Sequence, residues 1–209
     1  MAPALPAPVV APMPAATDIF FPEGERDRSR LLFVGRLNAQ KRIEILLRAL
    51  ALMRIPASLD VVGIGEQDAM LRTLAVSLGI GERVAWYGAL PQHELAPLYR
   101  RAAALVVPSR DEGLGLVAVE GQLCGTPVIA FDSGGLRDIV QDQRTGVLVT
   151  DQTAEALAVA IDSLLAAPDY AQRLGKAGRE SALGTFAPEA VATRYSAIYR
   201  EALGVQPIR

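Results

Sequence analysis

"AALVVPSRDEGLGLVAVEGQLCGTPVIA", residues 103–130, decides the fold. It opens on a continuously apolar run, "AALVVP", and closes inside another, "TPVIAF" at 126–131. Short runs of that texture fit strands buried on both faces of a sheet. Between them a turn punctuated by Gly113 and Gly115 leads into a helix expected over Leu114–Leu123. Two glutamates interrupt the pattern. Glu112 stands just before the turn, and Glu120 sits among Val117, Val119 and Leu123.

The same grammar extends both ways. "LLFVG" (31–35), "SLDVVG" (58–63) and "RVAWYG" (83–88) precede this unit as strands, and "TGVLV" (145–149) follows it. Helices are expected between them. Asn38 caps one, with Ile43, Leu46, Leu47 and Leu50 at helical spacing; others fall at 66–78 and about 92–101. Thr153 then opens a helix with Leu157, Ile161, Leu164 and Leu165 on one face, and Pro168 stops it. Two more helical stretches follow, at about 169–183 and 188–203. The expected fold is α/β: a single Rossmann-like, three-layer domain with a parallel six-stranded sheet and extra C-terminal helices. Residues 1–30, rich in Ala and Pro and then charged, read as an arm or linker; 31–203 read as the domain and 204–209 as a tail.

With 209 residues, 51% hydrophobic and 21% charged, the chain can bury one sizeable core. A net charge of -2 gives no general pull toward nucleic acid, so none is expected as a partner. The lone Cys124 excludes an internal disulfide framework and fits a reducing compartment. No apolar run reaches the roughly 18 residues of a membrane span. The start, "MAPALPAPVVAPMPAATD", lacks a basic n-region and is not read as a signal peptide. A cytoplasmic location is expected.

In an open parallel sheet, ligands bind beyond the carboxyl ends of the strands. After the first strand come Arg36 and, in the first turn of the expected helix, Lys41. Cations there oppose the helix macrodipole, which suggests a bound anion; the plainer reading is two solvated side chains. After the fourth strand, Gly113 and Gly115 let a ligand approach the backbone, and the helix start offers free N–H groups to phosphate. Glu112 would stand at that mouth, with capping as its plainer role. Glu120 is costly among apolar neighbours unless hydrogen-bonded, and a pair of sugar hydroxyls would supply two donors. A wet helix face or a local ion pair would also explain it. Gly134 and Gly135 read as a tight turn, with Ser133 or Asp132 as a helix cap.

Sharper alternatives fail. Gly63-Ile64-Gly65 lacks the third glycine of a dinucleotide fingerprint, because residue 68 is Asp. There is no Walker-type loop, no metal-spaced Cys/His cluster and no G-x-S-x-G. His93, the single histidine, reads as a surface residue.

In order and spacing, "VGRLNAQKR", "VVGIGEQ", "PSRDEGLGLVAVEGQLCGTPVIA" and "SGGLRDIVQDQRTGVLV" resemble the C-terminal domain of retaining glycosyltransferases of the group 1 type, sequence family 4. The likeness runs from about Leu31 to Tyr199, and "TDIFFP" at 17–22 is similar to the end of that family's interdomain linker. It implies one half of a GT-B fold. It implies a nucleoside-diphosphate sugar, of the UDP or GDP kind, as donor, with neither cofactor nor metal. Arg36 and Lys41 match the pair that holds the diphosphate. Glu112 matches the glutamate beside the transferred sugar, expected to be catalytic. Gly113, Leu114, Gly115, Leu116 and Val117 match the segment that approaches sugar and phosphates. Glu120 matches the ribose-binding acid, and Leu90 a backbone contact to the base. Two departures stand out: Gly121 where the family usually has alanine, and Leu114 where it often has an aromatic.

Further expectations follow from the likeness. An acceptor-binding N-terminal half is expected as a partner, in cis or as a separate chain. The full enzyme is expected in the cytoplasm or at the cytoplasmic face of a membrane. The stripe Val191, Tyr195, Ile198 and Tyr199 is expected to drive self-association where that half does not cover it. A non-catalytic nucleotide-sugar-binding or docking module is the competing reading. A nucleotide-sugar epimerase of the same fold fits the glutamate context less closely.

Overall fold

Six apolar runs become six parallel strands in the computed structural model, which describes residues 11–203. They are β1 (Asp27–Val34), β2 (Ser58–Val62), β3 (Val84–Gly88), β4 (Ala102–Val107), β5 (Val128–Phe131) and β6 (Val147–Val149). The sheet order is β3-β2-β1-β4-β5-β6, so β1 and β4 lie together at the centre. Each strand after β1 and β4 is reached by a helical crossover, as parallel pairing requires.

The helices are α1 (Ile43–Leu52), α2 (Asp68–Ser77), α3 (Gln92–Arg101), α4 (Leu116–Leu123), α5 (Leu136–Ile139), α6 (Ala154–Leu165), α7 (Pro168–Phe186) and α8 (Pro188–Leu203). Strand pleating divides them into two layers. Leu31 and Phe33 of β1 point into a core with Leu46 and Leu47 of α1, Leu71 of α2 and Leu157 of α6. Leu32 points the other way, toward Leu95 and Tyr99 of α3 and Val119 and Leu123 of α4. All of these are essentially inaccessible to solvent. Each such side chain contributes about 1.5–3 kcal/mol when fully buried, which is why both strand faces read as apolar. The expected α/β architecture, with its covered parallel sheet, is therefore the observed one.

Several boundaries differ from the sequence expectation, each for a local reason. β1 starts at Asp27, so the charged end of the segment read as an arm is strand: Arg30 pairs in register with Ser58. Asn38 caps a 3-10 turn, Ala39–Lys41, and not the α-helix itself. Arg42, in the left-handed region at φ 50, separates that turn from α1. The helix expected from Leu114 begins at Leu116, because Gly115 takes the left-handed conformation at φ 56. Thr153 does cap α6, accepting from Ala156 N, but the helix ends at Leu165 and Pro168 opens α7. Pro suits a first helical turn, where its missing N–H has no partner to lose. Neither Ser133 nor Asp132 caps α5; Gly135 holds that position.

Residues ahead of β1 are also tied down. Ala15 N donates to Phe186 O at 2.8 Å, and Arg100 donates to the carbonyls of Ile19 and Phe21. Phe20 is buried edge-on against Tyr99. Residues 1–10 of the expected arm and the expected tail, 204–209, lie outside the described residues. On α8 the expected stripe divides: Val191 is buried, Tyr195 and Ile198 are half-buried, and Tyr199 is exposed.

Candidate functional site

The chain leaves β1 toward β2 and β3 on one side, then returns to β4 and continues to β5 and β6 on the other. The carboxyl ends of β1 and β4 therefore flank a topological switch point, where the two loops part and leave a crevice. Gly35 to Arg42 leave β1 there, and Pro108 to Gly115 leave β4.

The first loop is held in shape by its own residues. Asn38 Oδ1 accepts from Lys41 N at 3.2 Å, closing the 3-10 turn. Arg42 stacks over Phe131 at 5.2 Å and bonds Gln152, which anchors the far end. Lys41 thus ends a 3-10 turn ahead of α1, not the first turn of α1 as expected, and its charge is met from across the crevice. Its Nζ donates to Glu112 Oε2 at 2.5 Å. Both side chains are largely shielded, at 17% and 13% exposure. Gln40 ties the same loops twice: its carbonyl accepts from Arg110 N at 2.8 Å and its amide donates to Asp111 O at 3.0 Å. Arg36 is exposed and pairs with no acid among the described residues.

The second loop is braced by the turn after β5. Asp111 adopts a left-handed φ of 53, and its N–H donates to Ser133 Oγ at 2.7 Å. Gly135 N donates to Glu112 O at 2.7 Å. A Cβ on Gly134 would lie 2.5 Å from Glu112 O, and one on Gly135 would overlap Gly113 O. Only glycines allow this approach, so Glu112 is positioned through backbone contact. Beyond it, Gly113, Leu114 and Leu116 are exposed, Gly115 is buried and Val117 half-buried. The first N–H groups of α4, at Leu116 and Val117, have no intrahelical acceptor and carry the positive end of the helix dipole. That is an anion-binding geometry.

Glu120 lies further along α4, half-buried. Its Oε2 accepts from the Tyr99 hydroxyl at 2.8 Å. Burial raises its carboxyl above the ordinary range, and the Tyr99 bond pulls the other way. Tyr99 itself is fully buried, and burial beside a carboxylate raises its phenol well above normal. The neutral phenol is thus a dedicated donor.

Leu90 is half-buried in a cleft of about 260 Å³ that it shares with Arg36, Val34, Gly63 and Ile64, beyond the ends of β1, β2 and β3. The glycine pair that failed as a dinucleotide fingerprint shapes this cleft. A Cβ on Gly63 would overlap Gly35 O, and one on Gly65 would overlap Leu37 O. The two loops can then touch: Gly35 N donates to Val62 O at 3.0 Å and Leu37 N to Ile64 O at 2.9 Å. His93 is 77% exposed, as its surface reading expected. Among the described residues no three His, Cys, Asp or Glu side chains cluster as metal ligands, and no helix is long and apolar enough to cross a membrane.

The structure therefore joins Lys41 to Glu112, Arg36 to Leu90 through one cleft, and Gly113 to Val117 to the mouth of α4. Sequence reasoning missed Gln40, Tyr99 and Ser133 as supports. Gln40 and Ser133 carry no local signal, since their partners come from other loops. Tyr99 was hidden in the apolar stripe of its helix.

Comparison with known proteins is consistent along the whole stretch. A family model described as "Glycosyl transferases group 1" matches residues 16–181. The D-inositol 3-phosphate glycosyltransferase of Frankia alni is 43% identical over 174 residues, covering 77% of this chain and 43% of that protein. The sucrose-phosphate synthase of Thermosynechococcus elongatus superposes with a TM-score of 0.83 at 36% identity, over 92% of this chain and 52% of that one. A C-terminal domain of a group 1 family glycosyl transferase from Francisella tularensis shares the fold, with a TM-score of 0.75 at 19% identity, and is 99% covered. The match thus covers less than half the length of the Frankia relative. With a family model over most of its length and this fold beneath it, the chain belongs to the group 1 glycosyltransferases.

Proposed function

We propose that this chain is the donor-binding domain of a retaining glycosyltransferase that uses a nucleoside-diphosphate sugar. The observation that carries the reading is the placement of Lys41 and Glu112, ion-paired at 2.5 Å, beside the N-terminus of α4 at the switch point. A diphosphate at that N-terminus meets the amides of Leu116 and Val117 and the cations of Arg36 and Lys41. The base enters the cleft at Leu90, the ribose meets Glu120, and the sugar lies against Glu112 and the Gly113–Gly115 backbone. On transfer, the bond from the anomeric carbon to the diphosphate oxygen breaks, a bond to the acceptor hydroxyl oxygen forms, and the hydroxyl proton passes to the departing diphosphate. Negative charge grows on the departing diphosphate, where preorganised donors are most effective. These groups meet that charge without requiring a metal.

The relatives' full length points to a second, acceptor-binding half, in cis or as a separate chain. We place the enzyme in the cytoplasm or at its membrane face. Positioning donor and acceptor together contributes roughly 7–11 kcal/mol of barrier lowering, so the donor half alone is expected to bind and not to transfer.

Calorimetric titration of the purified chain with UDP, GDP and ADP, and with their glucose conjugates, tests the reading. Binding of one series that Lys41→Ala weakens is the expected result. No binding by any diphosphate would sink it. Transfer that appears only when the second half is supplied supports the catalytic reading; binding that never leads to transfer supports the non-catalytic module.

A further inference from the structure

We propose that Tyr99 is a positioning residue for ribose recognition: its buried hydroxyl holds the Glu120 carboxylate in one orientation at the donor site. The inference rests on the ribose role of Glu120 given above. The geometry is specific. Tyr99 comes from α3 and Glu120 from α4, and the hydroxyl donates to Oε2 at 2.8 Å. The ring cannot drift, because it is fully buried and stands edge-on to Phe20, with centroids 5.7 Å apart. The Tyr99 carbonyl is fixed as well. It accepts from Thr126 Oγ1 at 2.6 Å, and that hydroxyl accepts from Arg26 at 2.8 Å. Gly121, next to Glu120, leaves room for this packing: a Cβ there would lie 2.9 Å from Leu105 Cδ2 and 3.7 Å from the Tyr99 ring.

A free glutamate samples several rotamers, and ordering one on ligand binding costs affinity. A donor at Oε2 removes that cost beforehand. It leaves Oε1 and the remaining lone pairs for ribose hydroxyls. It also favours the charged form, which alone accepts on both oxygens. The groups acting on the carboxyl are few. Tyr99 faces it from α3. Cys124 follows at the C-terminal cap of α4, its thiol pushed up to about 12 by burial and hence neutral, with Arg26, Arg100 and Arg179 acting on that thiol.

The experiment is a set of calorimetric titrations on the full chain with UDP, GDP and their 2'-deoxy counterparts between pH 5 and 8. Wild type, Tyr99→Phe and Glu120→Gln are compared. Wild type is expected to prefer the ribonucleotide, and Glu120→Gln to lose most of that preference. Equal preference in those two would overturn the ribose reading itself, and the role of Tyr99 with it. With that reading standing, Tyr99→Phe is expected to reduce the ribose preference about twofold, less than Glu120→Gln does. Its remaining preference is also expected to fade at a higher pH than in wild type, because the bond that favours the carboxylate is gone. A Tyr99→Phe chain with wild-type preference and pH profile would overturn the positioning role alone. Should Tyr99→Phe not fold, proton NMR of the wild type decides: a slowly exchanging Tyr99 hydroxyl proton whose shift follows Glu120 ionisation supports the role, and its absence overturns it.

Discussion

Lys41 Nζ donates to Glu112 Oε2 at 2.5 Å, so the loop after β1 and the loop after β4 are joined by a shielded ion pair. Two residues that sequence likeness assigns to different parts of a donor, diphosphate and sugar, are bonded to one another. A bound diphosphate would share the lysine, which can donate three bonds. The pair therefore fixes both side chains across the crevice.

Removing the lysine should separate phosphate recognition from the rest. Lys41→Ala is expected to weaken nucleoside-diphosphate binding about 10- to 100-fold, in keeping with about 1.5–3 kcal/mol for a bond to a charged group. Binding of the bare nucleoside should change little. Calorimetry with both ligands checks this, and equal losses would contradict it.

Arg36 gives the complementary case. It is exposed and has no acidic partner among the described residues, so Arg36→Ala should leave thermal stability within about 0.5 kcal/mol of wild type. Diphosphate binding should nonetheless fall. A melting curve and a titration on one preparation suffice; a large loss of stability with unchanged binding would refute the assignment.

Gly135→Ala tests the brace behind Glu112. Its φ suits any residue, but the new methyl would overlap Gly113 O. The Glu112–Gly113 backbone must shift, at a cost of about 1–3 kcal/mol. Denaturant melts should show that loss, and diphosphate binding should weaken with it. A neutral substitution would mean that the turn after β5 does not position Glu112.

Glu120→Gln should trade function for stability. Burial raises the carboxyl above its ordinary range in the folded chain. The folded state therefore holds a proton in a window where the unfolded state has lost it, and this group costs stability as pH rises through that window. Glutamine removes that cost and can still accept from Tyr99. The variant should melt above wild type at pH 8, and the gap should close as pH falls below the raised carboxyl. Binding of ribonucleotides should weaken about three- to tenfold, a loss on the scale of 1 kcal/mol. A gap of constant size at every pH would show that Glu120 does not titrate as described.

Much of this was legible in the chain. Runs such as Leu31–Gly35 and Ala103–Pro108 declare strands, because a sheet covered on both faces demands apolar residues without alternation. The glutamates and the Arg36/Lys41 pair could be nominated from the chain because ligands sit beyond strand ends. The start of β1 was missed because Asp27 to Arg30 are polar; they pair through backbone, and side chains say nothing of that. The left-handed Gly115 shortened α4, and a glycine there reads equally as turn or helix. The bond from Tyr99 to Glu120 spans two helices and depends on how they pack. No residue pattern within either helix announces it.

The central seam of the sheet, where Leu31 pairs with Ala104 and Leu32 with Leu105, has a consequence in time. One side of the crevice belongs to a unit of β1, β2 and β3, the other to a unit of β4, β5 and β6. Closing that seam joins segments far apart in sequence, and such contacts form late. Until they form, Lys41 has no Glu112, and the proposed donor site stays divided between the two units. A nucleotide should therefore slow unfolding by stabilising only the completed sheet, and leave the early steps of refolding at their ligand-free rate.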